Sequence, residues 1–442
     1  MIVMKFGGSS VANRQQIEKV LSIVRTRTAR SPLVVSSAHK GMTDALINGA
    51  RDAARGIYAP EKVIQRQAEI ARECGCSETL LAPFFEEITG LYRGLSLVRE
   101  LSPRSLDYAA SFGERMAVRV IADFFTRQGF AAQAFDAWEL GFITDAAFGA
   151  ARPLAGYETN MVRLCAERIP QGVIPIVTGF IGQTETGEIT TIGRNGSDLT
   201  ATLVGAAISA EEVEIWSDTD GVMTADPRFV PQARSIAAMH FDEAAELAYF
   251  GSRVLHPSTL VPAMEKNTPV RVLNTNRPEH PGTVIHHAAP ERDQAATSIA
   301  YREHQWAVTI SSPRMLGAAG FLAEAFNVLG KYDAVVDMIA TSEVSVTFTT
   351  DRREPLEQAL GDLQRLGRVH IEEGKTLLVV VGQGLATRVG IGASILQAMA
   401  DASVNVEMIS FGLKSISLTM LVADADIRRA VGVLHERLFE RS

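Results

Sequence analysis

The chain alternates short, wholly apolar runs with longer segments whose apolar positions recur at helical spacing. Ile2–Phe6 and Leu33–Ser36 read as strands, with a helix over Arg14–Thr28 between them. Ala131–Phe135, Val173–Phe180, Glu212–Ser217 and Val270–Asn274 follow as further strands, separated by helical segments. A run such as Val173-Ile174-Pro175-Ile176-Val177-Thr178 lacks a polar face, which predicts a strand buried on both sides. Repetition of this strand–helix unit predicts an α/β domain, a mainly parallel sheet with helices on both faces. Residues 50–110 read as mostly helical, an inserted lobe. Prolines, histidines and charges from Arg277 to Asp293 break the pattern, so the first domain is placed at 1–290.

The remainder, 298–442, has a different rhythm. Strand-like Trp306–Ser311, helical Leu316–Gly330, strand-like Val335–Ala340 and Val344–Thr349, then helical Arg353–Leu366 make one pass. Thr376–Val381, helical Ala386–Ala402, Val404–Ser410, Ser415–Val422 and helical Asp426–Glu440 make a second. A shift of 70 residues lays Gly320 on Gly390, Val336-Asp337-Met338-Ile339 on Val406-Glu407-Met408-Ile409, and Ser345 on Ser415. A duplicated βαββαβ unit accounts for this. The first unit is placed at about 312–383 and the second at about 384–442, the latter completed by the 300–311 strand.

Composition narrows the function. With 46% hydrophobic and 21% charged residues the chain is an ordinary globular one. Its 43 basic and 51 acidic residues, net −8, argue against a nucleic-acid backbone as partner. No apolar run is long enough to span a membrane. The amino terminus turns into glycines after six residues and reads as a strand, not a leader, which predicts a cytoplasmic protein. Cys74, Cys76 and Cys165 suit reduced thiols, and neither Cys74-Gly75-Cys76 nor His286-His287 has partners at metal-ligand spacing; no metal site is expected.

Four polar turns interrupt the apolar framework. Lys5-Phe6-Gly7-Gly8-Ser9-Ser10 links the first strand to the first helix, where bare backbone N–H groups and a lysine suit an anion. It lacks the G-x-x-x-x-G-K-[ST] pattern of a Walker loop. Gly193-Arg194-Asn195-Gly196-Ser197-Asp198 again runs into a helix; Ser197 or Asp198 suits a cap, and Arg194 offers a planar fork for a carboxylate or phosphate. Asp198 also suits a partner for Lys5. Ser217-Asp218-Thr219-Asp220-Gly221-Val222-Met223-Thr224-Ala225-Asp226-Pro227-Arg228 leaves a buried strand, without the closing glutamate of a calcium loop. Ser111-Phe112-Gly113-Glu114 reads as a helix start carrying one acid.

These motifs in this order, with Val254-Leu255-His256-Pro257, resemble those of the aspartokinases, of the amino-acid-kinase fold, which end in paired ACT units. The resemblance covers essentially the whole chain. It implies transfer of the ATP γ-phosphoryl group to the side-chain carboxylate of L-aspartate, with Mg²⁺ bridging phosphate oxygens. It further implies that Lys5 with Gly7, Gly8 and Ser9 holds the phosphoryl group and that Asp198 orients Lys5. Glu114 would pair with the substrate ammonium and Arg194 with its α-carboxylate, with Ser37, Thr43 and Ser197 completing the pocket. Ser217, Asp218, Met223, Arg228, Arg253 and Val254 would serve the nucleotide. Three positions depart from the pattern: Arg253 replaces the usual lysine, Ser9 a common threonine, and Asn195 a glycine. Asparagine tolerates positive φ, so the Asn195 turn is expected to survive.

The tail resembles that of the lysine-sensitive subclass. Met315, Ala318, Phe321, Leu322, Val335, Val336, Asp337, Ser342 and Glu343 are the implied effector contacts, Ala318 standing where a serine is common. Asp337 and Glu343 suit a cationic side chain, so L-lysine is the expected effector. A homodimer through the ACT units is expected, with a tetramer also open. Two rivals remain: a kinase of the same fold acting on another amino-acid carboxylate, and a non-catalytic amino-acid sensor.

Overall fold

The computed structural model describes residues 1–251, 255–288, 294–317 and 319–440. Arg253, Val254 and Ala318 lie outside the described residues. Two compact units emerge. The first comprises Met1–Val222 and Val254–Ala289, the second Met223–Arg253 and Pro290–Ser442.

The first unit opens with β1 (Ile2–Phe6), α1 (Arg14–Arg25) and β2 (Pro32–Ser36). Every residue of both strands is buried, as a strand covered on two faces requires. Asn13 starts α1 by accepting the Gln16 N–H at 3.0 Å. The lobe follows as α2 (Met42–Ala54), α3 (Glu61–Glu73), α4 (Ala82–Val98) and α5 (Pro103–Arg127). Then come β3 (Ala132–Phe135), α6 (Tyr157–Arg168), β4 (Ile174–Thr178), the hairpin β5 (Ile181–Gln183) and β6 (Ile189–Thr191), α7 (Gly196–Ala207) and β7 (Val213–Ser217). The chain forms β8 (Ala238–Met239) and α8 (Phe241–Tyr249) in the second unit. It then returns with α9 (Pro257–Glu265), β9 (Val270–Asn274) and β10 (Thr283–Ile285).

Strands of the first unit order β3-β4-β2-β1-β7-β9-β10. All neighbours are parallel except β10 against β9. β1 is central, with Lys5 opposite Val35 on one side and Ile215 on the other. The carboxyl ends of β1, β2, β4 and β7 therefore share one edge, where parallel α/β sheets bind ligands.

The second unit is a six-stranded sheet with β11 (Ser298–Ser311), α10 (Phe321–Lys331), β12 (Met338–Thr341), β13 (Ser345–Thr350), α11 (Arg353–Leu366), β14 (Arg368–Val381), α12 (Ile391–Asp401), β15 (Met408–Ser410), β16 (Ser417–Ala423) and α13 (Ile427–His435). Its order is β12-β13-β11-β14-β16-β15. The two repeats share their long strands. Trp306–Ser311 pairs with β13 and with the first half of β14, whereas Ser298–Arg302 pairs with the second half of β14, Leu377–Val381. The register shifts between Arg302 and Ala307, where one repeat gives way to the other.

Two sequence expectations need correction. The helix expected from Leu316 begins only at Phe321, because Gly317 and Gly320 hold left-handed φ of 66° and 94°. The linear division at 290 also misses an exchange, since residues from Met223 onward through α8 belong to the unit of the tail. Ala225 and Val230 join the core of Leu378, Val380, Ile395, Val431 and Leu434. Thr224 Oγ1 lies 2.9 Å from His435 Nε2, and Tyr301 donates its hydroxyl to Asp226 at 2.8 Å. Alanine, valine and threonine inside an acid-rich turn gave no periodic signal by which to find this.

Candidate functional site: a cavity at the carboxyl ends of the first unit's strands

Strand β1 carries Lys5 to the edge of the sheet and stops at Gly7-Gly8. The Gly7 N–H bonds the Trp216 carbonyl at 3.2 Å, so this turn lies beside the end of β7. A Cβ on Gly7 would stand 3.4 Å from Lys5 Nζ, and one on Gly8 only 2.9 Å from the Ala38 carbonyl oxygen. The second glycine is what lets the turn meet the loop after β2. Lys40 N–H donates to the Gly8 carbonyl at 3.1 Å, closing that contact.

Lys5 is 8% exposed, and its Nζ sits 2.5 Å from Asp198 Oδ1. Asp198 occupies the first turn of α7, where a carboxylate is favoured by the helix field. Asn195 reaches this helix start at φ 53°, the left-handed conformation asparagine was expected to accept. Gly179 lets β4 approach closely, since a Cβ there would meet Ser197 Cβ at 2.6 Å.

Glu114 comes from α5. Its helix starts at Pro103 with Ser102 as cap, so Glu114 lies well inside the helix and not at its start. Gly113 lets α5 press against the loop: a Cβ there would lie 2.8 Å from Ala38 Cβ and 3.4 Å from Thr43 Oγ1. Glu114 is 3% exposed, and one oxygen accepts the Ala38 N–H at 3.1 Å. The other, Oε2, has no hydrogen-bond partner. Burial pushes this carboxyl up to about 8, against the opposing pull of the Ala38 N–H and Lys5. A site holding such an acid is poised to receive a cation.

Lys5, Gly8, Ser37, Thr43, Glu114, Arg194, Ser197 and Asp198 all line one cavity of about 540 Å³. Arg194 is exposed there, and Ser37 and Thr43 are half-buried. Gly7 and Ser9 belong to the turn beneath Lys5 but not to the lining. Ser217 and Asp218, at the end of β7, do not line it either; the Ser217 hydroxyl lies 3.1 Å from Thr219 Oγ1. Met223 and Arg228 belong to the second unit, where Arg228 pairs with Asp226 and reaches the Tyr301 hydroxyl. His39, Lys40, Asp44 and Phe180 also line the cavity, and none was singled out from sequence. Phe180 holds a φ of 65°, and its N–H donates to Thr200 Oγ1. Their common signal was position, since each follows a buried parallel strand at its carboxyl end.

In the second unit, Phe321 is buried at the start of α10, whereas Leu322 and Val335 are exposed. Met315 and Val336 pack on the core of the first repeat. Ser342 lies 2.7 Å from the Ser345 hydroxyl, and Glu343 is exposed. Asp337 has a side chain shielded from solvent. Its Oδ1 accepts the Tyr249 hydroxyl at 2.6 Å and Arg302 at 2.9 Å. Burial raises its pKa in spite of those donors.

An ammonium beside a bare glycine turn, a buried carboxyl without a full set of partners and an exposed guanidinium suit a phosphate-bearing ligand and a small zwitterion. A family model described as the amino acid kinase family matches residues 1–274, and one for the ACT domain matches residues 378–438. Lysine-sensitive aspartokinase 3 of Escherichia coli (strain K12) is 34% identical over 456 residues, spanning 100% of this chain and 99% of its own length. Aspartokinase 1, chloroplastic, of Arabidopsis thaliana is 35% identical across 99% of this chain and 80% of its own. The crystal structure of E. coli aspartokinase III in complex with aspartate and ADP aligns at a TM-score of 0.82 and 33% identity, covering 99% of this chain and 100% of that one. The same enzyme with lysine and aspartate aligns at 0.79 and 33% identity, covering 99% of each. The chain belongs to the aspartokinases.

The raised Glu114 pKa has a consequence for stability. The folded chain keeps this proton up to about pH 8, whereas an ordinary glutamate releases it near 4.5. Between those values the folded state binds the extra proton, so stability falls as pH rises from about 4.5 towards 8. Glu114→Gln should therefore melt above the wild type at pH 8 and close to it at pH 4 in calorimetric scans. A variant melting below the wild type at pH 8 would mean that the ionised carboxylate is stabilised in the folded protein.

Proposed function

We propose that the cavity binds L-aspartate with its ammonium on Glu114 and its α-carboxylate on Arg194, leaving the side-chain carboxylate facing the γ-phosphoryl group of ATP. Ser37, Thr43 and Ser197 complete the acceptor pocket. The observation that carries this reading is the buried, half-partnered Glu114 in the same cavity as Arg194 and the Lys5–Asp198 pair. The acceptor carboxylate is already a nucleophile at neutral pH, so no general base is needed. The obstacle is repulsion between two anions, which positioned cations and N–H groups relieve.

Lys5 offsets charge on the transferring phosphoryl group, Asp198 fixes its ammonium, and the Gly7–Ser9 turn offers backbone N–H groups. Ser217 and Asp218, on the neighbouring turn, are assigned to the nucleotide. Magnesium would come with the nucleotide and offset phosphate charge. Among the described residues no group of three His, Cys, Asp or Glu side chains is placed to hold a metal by itself.

The second unit is assigned to feedback control by L-lysine, in the cytoplasm. E. coli aspartokinase III has been crystallised with lysine, and here Asp337, in the first repeat, keeps Oδ2 free of hydrogen bonds. A homodimer through this unit is supported by exposed Ile339 and Ile409, which occupy equivalent places in the two repeats on the edge strands β12 and β15.

An ADP-release assay tests the catalytic reading. Aspartate should support turnover, glutamate and N-acetylglutamate far less. Lys5→Ala should lower kcat by roughly a hundredfold or more with the fold intact by circular dichroism, in line with loss of a transition-state donor. Retention of most of the turnover would assign Lys5 another role.

The regulatory reading is tested by calorimetric titration. Lysine should bind and threonine, which lacks a side-chain cation, should not, with Asp337→Asn weakening lysine by tenfold or more. Binding of threonine alone would reassign the effector; binding of neither would leave the unit as a dimerisation module.

A further inference from the structure

The loop that follows β2 carries one group that none of the assigned roles uses. His39 lines the acceptor cavity yet is only 1% exposed. Its Nδ1 lies 2.6 Å from the Val11 carbonyl oxygen. A carbonyl oxygen can only accept, so Nδ1 carries the hydrogen. Burial, with the Arg66 cation nearby, drives the ring's pKa down to about 4, and the ring is neutral. Nε2 is then a bare lone pair, and it has no hydrogen-bond partner. Glu114 Oε2, in the same cavity, is a second buried polar atom without one, and Asp198 Oδ1 there is held by its ion pair with Lys5. The two residues are coupled through the main chain, because the N–H that holds Glu114 belongs to Ala38, next to His39.

A buried acceptor left empty costs free energy that a donor supplied by a ligand would recover. Lys5 is engaged by Asp198, whereas the substrate brings donors of its own. An α-ammonium brings three N–H groups, more than one carboxylate oxygen takes up. We propose that His39 is a specificity-determining residue of the acceptor pocket, its Nε2 accepting a hydrogen bond from the substrate α-ammonium beside Glu114. The inference rests on the assignment of Glu114 to that ammonium. It gives the pocket a neutral acceptor for direction beside an acid for charge.

The test compares two ligands that differ only in the ammonium. His39→Asn keeps an N–H near the Nδ1 position for Val11 and deletes Nε2. It should raise KM for aspartate roughly tenfold while the inhibition constant of succinate, which has no ammonium, stays within twofold. Glu114→Gln should move the same ratio. If Glu114→Gln shifts it and His39→Asn does not, the His39 inference falls and the Glu114 assignment stands. If neither does, the Glu114 assignment falls first. Should His39→Asn fail to fold, the ¹⁵N resonance of His39 Nε2 in the wild type decides. It should report an unprotonated nitrogen that shifts on adding aspartate and not on adding succinate. A protonated Nε2, or equal shifts with both ligands, would overturn the proposal.

Discussion

The Lys5–Asp198 ion pair is the constraint around which the site is arranged. Lys5 lies on the central strand of a parallel sheet and Asp198 on the first turn of the helix that follows the hairpin, 193 positions later in the chain. Both side chains are nearly buried, and removing one partner of such a pair leaves an uncompensated charge worth roughly 3–5 kcal/mol. The pair thus fixes where α7 begins relative to β1. With that start fixed, Arg194 and Ser197 face the cavity that Lys5 borders. The glycines at 8, 113 and 179 follow from the same closeness, because each stands where a side chain would push neighbouring segments apart.

The acceptor end works by the opposite economy of charge. Glu114 is buried without a salt bridge, and its raised pKa records the cost of keeping an anion there. In the proposed reading a zwitterionic substrate relieves that cost with its ammonium, whereas a dianion without one does not. In the proposed reading, selectivity for an amino-acid acceptor over a simple dicarboxylate comes from Glu114 together with His39. In the second unit Asp337 is shielded in a comparable way, but Arg302 and Tyr249 already satisfy one of its oxygens.

Much of the fold was legible in the sequence because buried parallel strands leave an unambiguous signal, as Ile174–Thr178 and Val213–Trp216 do. The duplication of the tail was legible because a matched tetrapeptide recurs at a fixed offset. What stayed hidden depended on tertiary contact. That Ser111–Glu114 lies mid-helix could not be read from the four residues, since the helix is capped nine residues earlier, at Ser102. The placement of residues 223–235 against the tail rests on Ala225 and Val230, with Phe229 and Ala233 beside them, apolar side chains that follow neither a helical nor a strand period. At the site, motif residues with charges were found and His39 and Phe180 were not. Histidine and phenylalanine after a strand are common, and only the buried, partnerless Nε2 and the left-handed φ distinguish them.

Asp198 is proposed to act on the reaction by holding Lys5 and not by touching the acceptor. Steady-state kinetics of Asp198→Asn, with aspartate and ATP varied in turn, test it most directly. The account predicts a fall in kcat of roughly a hundredfold or more, with KM for aspartate changed by less than threefold, because an interaction realised in the transition state has been lost. An unchanged kcat with a large rise in KM for aspartate would contradict it and make Asp198 a substrate ligand.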